Sequence, residues 1–206
     1  MKNEILQTAL GQFLKFGIRE MSIKKLIEPL GISTKTVYKY YKNKEELLEE
    51  SLLFFYDQQF KLLENLTADQ NAVILLYDIW YVSIERSYKV SSVFFQDLNY
   101  YYPELENKVE RIIGDKFSGQ LFQILQKGIK DGDFKEDILS EVVMEGIYTL
   151  YDSIARTDRF KKFNVSTHEL FLNSMALYLR WCCTPKGILE LDGHIQNQIP
   201  LEFNIL

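Results

Sequence analysis

Lys35, Tyr38, Lys39 and Lys42 stand at i, i+3, i+4 and i+7. On a helix that spacing gathers three ammonium groups and a phenol on one face, a face that cannot be core. Val37 and Tyr41 stand i, i+4 on another face and are apolar enough to pack. A helix of this kind is anchored from behind and offers donors to an anionic surface in front. Lysine donates to guanine acceptors in a major groove, so Lys35 and Lys39 are candidates for base edges or nearby phosphates. Tyr38 offers a hydroxyl to phosphate and a ring to a thymine methyl.

Other chemistry is thin. The two histidines, His168 and His194, have no partner at metal-ligand spacing. No Gly-rich phosphate loop, serine elbow or Cys–His arrangement is present. Cys182 and Cys183 are adjacent, cannot staple distant segments, and read as small apolar side chains of a buried helix. The chain therefore reads as a non-enzyme with no metal and no cofactor.

The elements that must position the lysine face lie between Ser22 and Lys44. Ile23, Leu26, Ile27 and Leu30 give one short helix a buried stripe, Gly31 suits a left-handed cap, and Ser33 or Thr34 can cap a second helix. Pro29 shortens or bends the first of the two. Two short helices about a tight turn form a helix-turn-helix, with the second helix in the major groove. Charge agrees. The segment 22–44 carries +5, residues 1–21 add +1, and the whole chain is −5, leaving −11 on residues 45–206. Positive charge gathered at one end of an acidic chain implies a local anionic partner.

Residues Ile32 to Leu48, ISTKTVYKYYKNKEELL, resemble the DNA-binding signature of the TetR/AcrR family of transcriptional regulators. The matching positions are Ile32, Ser33, Thr36, Val37, Tyr38, Tyr40, Tyr41, Lys42, Lys44, Glu45, Glu46, Leu47 and Leu48. Lys35 departs from the family's usual small residue, as do Ile27 and Leu30. The resemblance implies an all-α fold of about nine helices: a three-helix helix-turn-helix domain over residues 1–48, extending into the fourth helix to about residue 60, then a helical regulatory and dimerisation domain over 49–206. It implies DNA contact through Ser33, Thr34, Lys35, Thr36, Tyr38, Lys39, Tyr40 and Lys44, with Thr36, Tyr40 and Lys44 on the phosphate backbone, and makes Lys2 a further candidate.

The rest of the chain has helical periodicity. Residues 3–17 carry a stripe of Ile5, Ala9, Phe13 and Phe16, which should cover the helix-turn-helix. Asn43 caps a helix predicted from 44 to about 66. Further helices are predicted over about 70–89, 90–102, 104–130, 135–157, 166–183 and, briefly, 186–191, where Gly193 stops the last. The helix 166–183 is apolar on more than one side, which suits a second copy of the chain packed against it. The family dimerises through its last two long helices, so Ile147, Ile154, Leu170, Leu177 and Trp181 are expected at a homodimer interface. The family also encloses a ligand between its fifth and eighth helices. A pocket of Tyr77, Trp80, Tyr81, Phe94, Leu98, Phe117, Leu121, Tyr148 and Tyr151 is expected to take a hydrophobic or aromatic inducer.

The expectation is a ligand-responsive repressor that reads a palindromic operator in double-stranded DNA as a homodimer. The rival is a dimeric small-molecule-binding or scaffold protein whose helix-turn-helix no longer reads a site. No apolar run approaches the ~20 residues of a membrane span, and residue 2 onward is amphipathic rather than a signal segment, so a cytoplasmic location with no membrane partner is expected.

Overall fold

The computed structural model describes residues 1–64 and 70–197. Its regular structure among them is helical: α1 (Lys2–Phe16), α2 (Ile23–Leu26), a 3-10 turn (Glu28–Leu30), α3 (Thr34–Val37), α4 (Lys44–Glu64), α5 (Ala72–Ser87), α6 (Ser92–Tyr101), α7 (Pro103–Lys130), α8 (Ser140–Ala155), α9 (Thr167–Leu172), α10 (Met175–Cys182) and α11 (Pro185–Asn197). The chain divides into two compact units. Of the described residues, the first holds 1–61 and 90–115, the second 62–64, 70–89 and 116–197.

The first unit is built around α1. Ile5, Leu6, Ala9, Leu10, Phe13 and Leu14 are buried, and α1 packs against α2, the 3-10 turn and α6. Phe16, expected in that stripe, is instead about half exposed, because the helix ends there and the chain turns at Gly17. Gly17 holds φ +83, and a Cβ at that position would sit 2.7 Å from Val93 Cγ1 and 2.8 Å from Asp97 Oδ2. Glycine is thus required twice, by conformation and by space. The Ser91 amide donates to the Leu14 carbonyl at 2.9 Å, fixing the start of α6 beside the end of α1.

The second unit surrounds α5, of whose residues Ala72 to Ser87 nearly all are buried. A helix apolar all round must be covered all round. Its cover comes from α8, α9, α10 and α11. Asn71 caps it, its side-chain oxygen accepting from the Val73 amide at 2.8 Å, while its side-chain amide donates to Asp133 at 2.9 Å.

Three boundaries differ from the periodicity. α8 starts at Ser140, not 135, because Phe134 bridges Cys183, and the Lys135 and Thr184 amides donate across to Cys182 and Asp133. Residues so held are extended. The helix expected over 166–183 breaks at Asn173 and Ser174, whose side chains donate back to the Glu169 and Leu170 carbonyls. Such bonds compete with the helical ladder. The capping box that opens α9 is present, Ser166 and Glu169 bonding reciprocally. Finally, α11 runs through Gly193 to Asn197. Buried Leu191, the His194–Asp78 contact at 2.7 Å and an Arg180–Asp192 pair offset glycine's helical penalty of about 1 kcal/mol. The end of the predicted fourth helix, at 65–66, and the tail 198–206 lie outside the described residues.

Candidate nucleic-acid interface

Ser22 caps α2, its hydroxyl accepting from the Lys25 amide at 3.3 Å. α2 ends after one turn, and Pro29, which lacks a donor, is accommodated in the 3-10 turn that follows. Gly31, at φ +63, then reverses the chain in the left-handed region. α3 opens at Ser33 and is regular only from Thr34 to Val37. Mixed three- and four-residue hydrogen bonds carry its turning on to Tyr41. Lys42 therefore falls beyond the helix, and the expected four-residue polar face shortens to Lys35, Tyr38 and Lys39.

The two faces separate as their chemistry requires. Val37 and Tyr41 are buried at 0% and 1%, whereas Tyr38 is 55% exposed and Tyr40 40%. Lys35, Lys39 and Ser33 are exposed; Thr34 and Thr36 are half-buried. The Ser33 hydroxyl faces that of Thr36 at 3.2 Å and bonds no backbone amide of α3. Large phenols and ammonium groups held outward by a buried back present a surface of donors suited to an anionic groove.

The support behind this face is polar as well as apolar. Asn43 caps α4 through the Glu46 amide at 2.8 Å, and the Glu46 carboxylate accepts from the Lys42 amide at 2.5 Å. The Tyr41 hydroxyl donates to Glu50 at 3.3 Å, and Lys2 pairs with the other oxygen of Glu50 at 2.9 Å. Burial and the charge of Glu50 both push the Tyr41 phenol upward, so it stays protonated and donating.

Lys44 stands apart from the other expected contacts. Its ammonium donates to the Ile18 carbonyl at 2.5 Å, and burial pulls its pKa down against the opposing pull of Asp97 and Glu20. It is engaged within the protein. The group it works with was not visible from spacing: buried Asp97 on α6 accepts from the Ile18 amide at 2.7 Å and from the Arg19 amide at 2.8 Å. Nothing local in the sequence marks Asp97, which lies 79 residues from Ile18.

Of the nine residues expected about one pocket, seven lie in the second unit. Trp80 meets Phe117, Tyr148 and Tyr151 at ring separations of 6.3, 5.6 and 5.8 Å. Tyr77 and Tyr81 meet Phe171, and Leu121 is buried in the same core. Phe94 and Leu98 do not join them; they are buried in the core of the first unit, where α6 packs on α1. The expected interface also divides. Ile147, Ile154 and Leu170 are buried within this chain's own second core, since α8 and α9 must cover α5. Leu177 and Trp181 are 56% and 63% exposed, and beside them on α8 so is Val142. An open groove of about 710 Å³ between α8 and α10 is lined by Glu141, Val142, Glu145, Gly146, Thr149 and Tyr178 among others.

Both cysteines are buried, and burial pushes their thiols up to about 11 for Cys182 and about 12 for Cys183. No group of three or more potential metal ligands occurs among the described residues. No helix among them is long and apolar enough to cross a membrane.

Comparison with known proteins bears on the same segment. The family described as "Bacterial regulatory proteins, tetR family" matches residues 5–51. The transcriptional repressor KstR2 of Mycolicibacterium smegmatis is 25% identical over 154 residues, covering 69% of this chain and 71% of the relative. Among solved structures, the ketosteroid transcriptional regulator KstR2 of Mycobacterium tuberculosis covers 89% of this chain and 95% of its own, with a TM-score of 0.64 at 20% identity. A TetR transcription regulator from Haloarcula marismortui covers 88% and 97%, with a TM-score of 0.73 at 22% identity. These likenesses show the fold.

Proposed function

We propose that the chain, whose residues 5–51 match the family described as "Bacterial regulatory proteins, tetR family", is a ligand-responsive transcriptional repressor that reads a palindromic operator as a homodimer. The observation that carries this reading is the outward set of Lys35, Tyr38, Lys39 and Tyr40 on a turn whose other side, Val37 and Tyr41, is sealed in the core. Lys35 and Lys39 supply base-edge or phosphate donors. Tyr38, Tyr40, Thr36, Thr34 and Ser33 supply further polar contacts along the backbone. The two recognition helices of a dimer would meet successive major grooves about 34–36 Å apart.

The exposed apolar residues of α8 and α10, Val142, Leu177 and Trp181, support dimerisation through that face. The ligand reading rests on the aromatic interior of the second unit, and a ketosteroid regulator among the structural relatives accords with an apolar inducer. An inducer acts only if it binds a conformation that holds the recognition helices off the operator more tightly than one that does not. The experiment that tests the reading is selection of duplexes from a random pool by the purified chain, followed by binding to the selected site and to a scrambled duplex at two salt concentrations. A preference that survives the higher salt, with two subunits per site, supports a sequence-reading dimer. Equal, salt-labile binding to both duplexes would leave the scaffold alternative.

A further inference from the structure

We propose that the second unit binds an apolar ligand through a neutral hydrogen-bond-accepting oxygen, a carbonyl or ether oxygen, that the indole N–H of Trp80 reads; the inference rests on the ligand-responsive reading above. Trp80 is 3% exposed, and its Nε1 has no partner among the described residues. Three residues earlier on α5, Tyr77 is wholly buried beside Phe171 and His194, and its hydroxyl also lacks a partner among the described residues. Buried donors are nearly always satisfied, because leaving one unpaired forfeits its hydration without return.

The chemistry of the missing partner follows from the donor. An indole N–H can only donate, so its partner must accept. The walls are apolar: Phe117 on α7 and Tyr148 and Tyr151 on α8 meet Trp80 at 5.6 to 6.3 Å. The Tyr151 hydroxyl is paired with that of Ser87 at 2.7 Å. The acceptor should be neutral. A carboxylate seated among the rings of Phe117, Tyr148 and Tyr151 would lose its hydration to apolar surroundings.

The test uses matched pairs that differ by one oxygen: 1-tetralone against tetralin, cyclododecanone against cyclododecane, and 2-undecanone against undecane. Each is titrated into the full chain by calorimetry, with Trp80→Phe as the variant that keeps an aromatic ring and loses the donor. The expected result is that ketones bind about ten-fold more tightly than their hydrocarbons. Trp80→Phe abolishes that preference, so that ketone and hydrocarbon of each pair bind alike. The carbonyl stretch of a bound ¹³C-labelled ketone, measured in the unaltered protein, should move to the lower frequency of a hydrogen-bonded oxygen, so the proposal stays testable if the variant folds poorly. Equal binding within pairs, a preference that survives Trp80→Phe, an unshifted stretch, or no ketone bound by folded protein would overturn it. Duplex selection run on the same preparation separates the two failures: a chain that selects no site sinks the regulator reading, while the titrations decide the oxygen site independently.

Discussion

Replacing Asp97 with alanine should cost about 3 kcal/mol. Asp97 accepts the Ile18 and Arg19 amides at 2.7 and 2.8 Å from a buried position. A hydrogen bond to a charged group contributes about 1.5–3 kcal/mol, so two are worth roughly 3–6 kcal/mol. The lower end applies, because the Arg19 amide is only partly buried and water can replace the carboxylate there. For a chain of this size that corresponds to a fall in Tm of about 6–12 °C. Asp97→Asn keeps an acceptor oxygen in place and loses only the charge, which roughly halves each bond, so it should fall midway. Thermal unfolding followed by far-ultraviolet circular dichroism gives the stability. Hydrogen exchange at the Ile18 and Arg19 amides locates the loss. A Tm within about 2 °C of the parent, with both amides still protected in Asp97→Ala, would refute the reasoning.

Four further outcomes are expected. Gly17→Ala, which needs a positive φ and puts a methyl 2.7 Å from Val93, should lose about 2–4 kcal/mol in the same unfolding assay; a neutral effect would mean the turn can relax. The double replacement Tyr38→Ala with Lys39→Ala should abolish discrimination between the selected and scrambled duplexes while leaving the circular dichroism unchanged, and retained discrimination would move the reading face elsewhere. Leu177→Glu, at a 56% exposed position, should shift sedimentation from dimer to monomer without loss of helicity; a persistent dimer would exclude this face. Iodoacetamide at pH 8 should label native Cys182 at least about two hundredfold more slowly than an unfolded cysteine. A raised thiol pKa keeps it protonated, and labelling should accelerate as pH climbs toward about 11; fast labelling at pH 8 would contradict its burial.

What was legible in the sequence was whatever local spacing encodes. The Val37–Tyr41 stripe, the Gly31 reversal, the Asn43 cap and the Ser166–Glu169 box are all decided within a few residues, and each is present. Pro103 does open α7, as its missing donor allows. What periodicity could not show was competition from distant groups. The stretch at Phe134 and Lys135 has helical company but is captured by Cys182 and Cys183. Gly193 looks like a stop, yet Leu191 and His194 dock on either side of it. The same limit governs the site. An apolar residue on a helix is equally fit for its own core or for a partner's, which is why Ile147 and Leu170 turned inward while Trp181 did not. Likewise the bond from Lys44, at the head of α4, to the distant Ile18 carbonyl is not legible from its spacing.

The brevity of α3 limits how much one subunit can know about a sequence. From Ser33 to Tyr40 the exposed turn spans eight residues, roughly 12 Å at a helical rise, or about four base pairs at 3.4 Å each. Four positions distinguish about 256 sequences, far fewer than the 10⁶ or more competing sites in a genome. Two copies reading together distinguish about 65,000, and only a fixed spacing between them makes that product available. On this reckoning pairing is a requirement of addressing rather than of stability. A monomer with a perfect reading face would be stranded on about four thousand chance matches among 10⁶ sites.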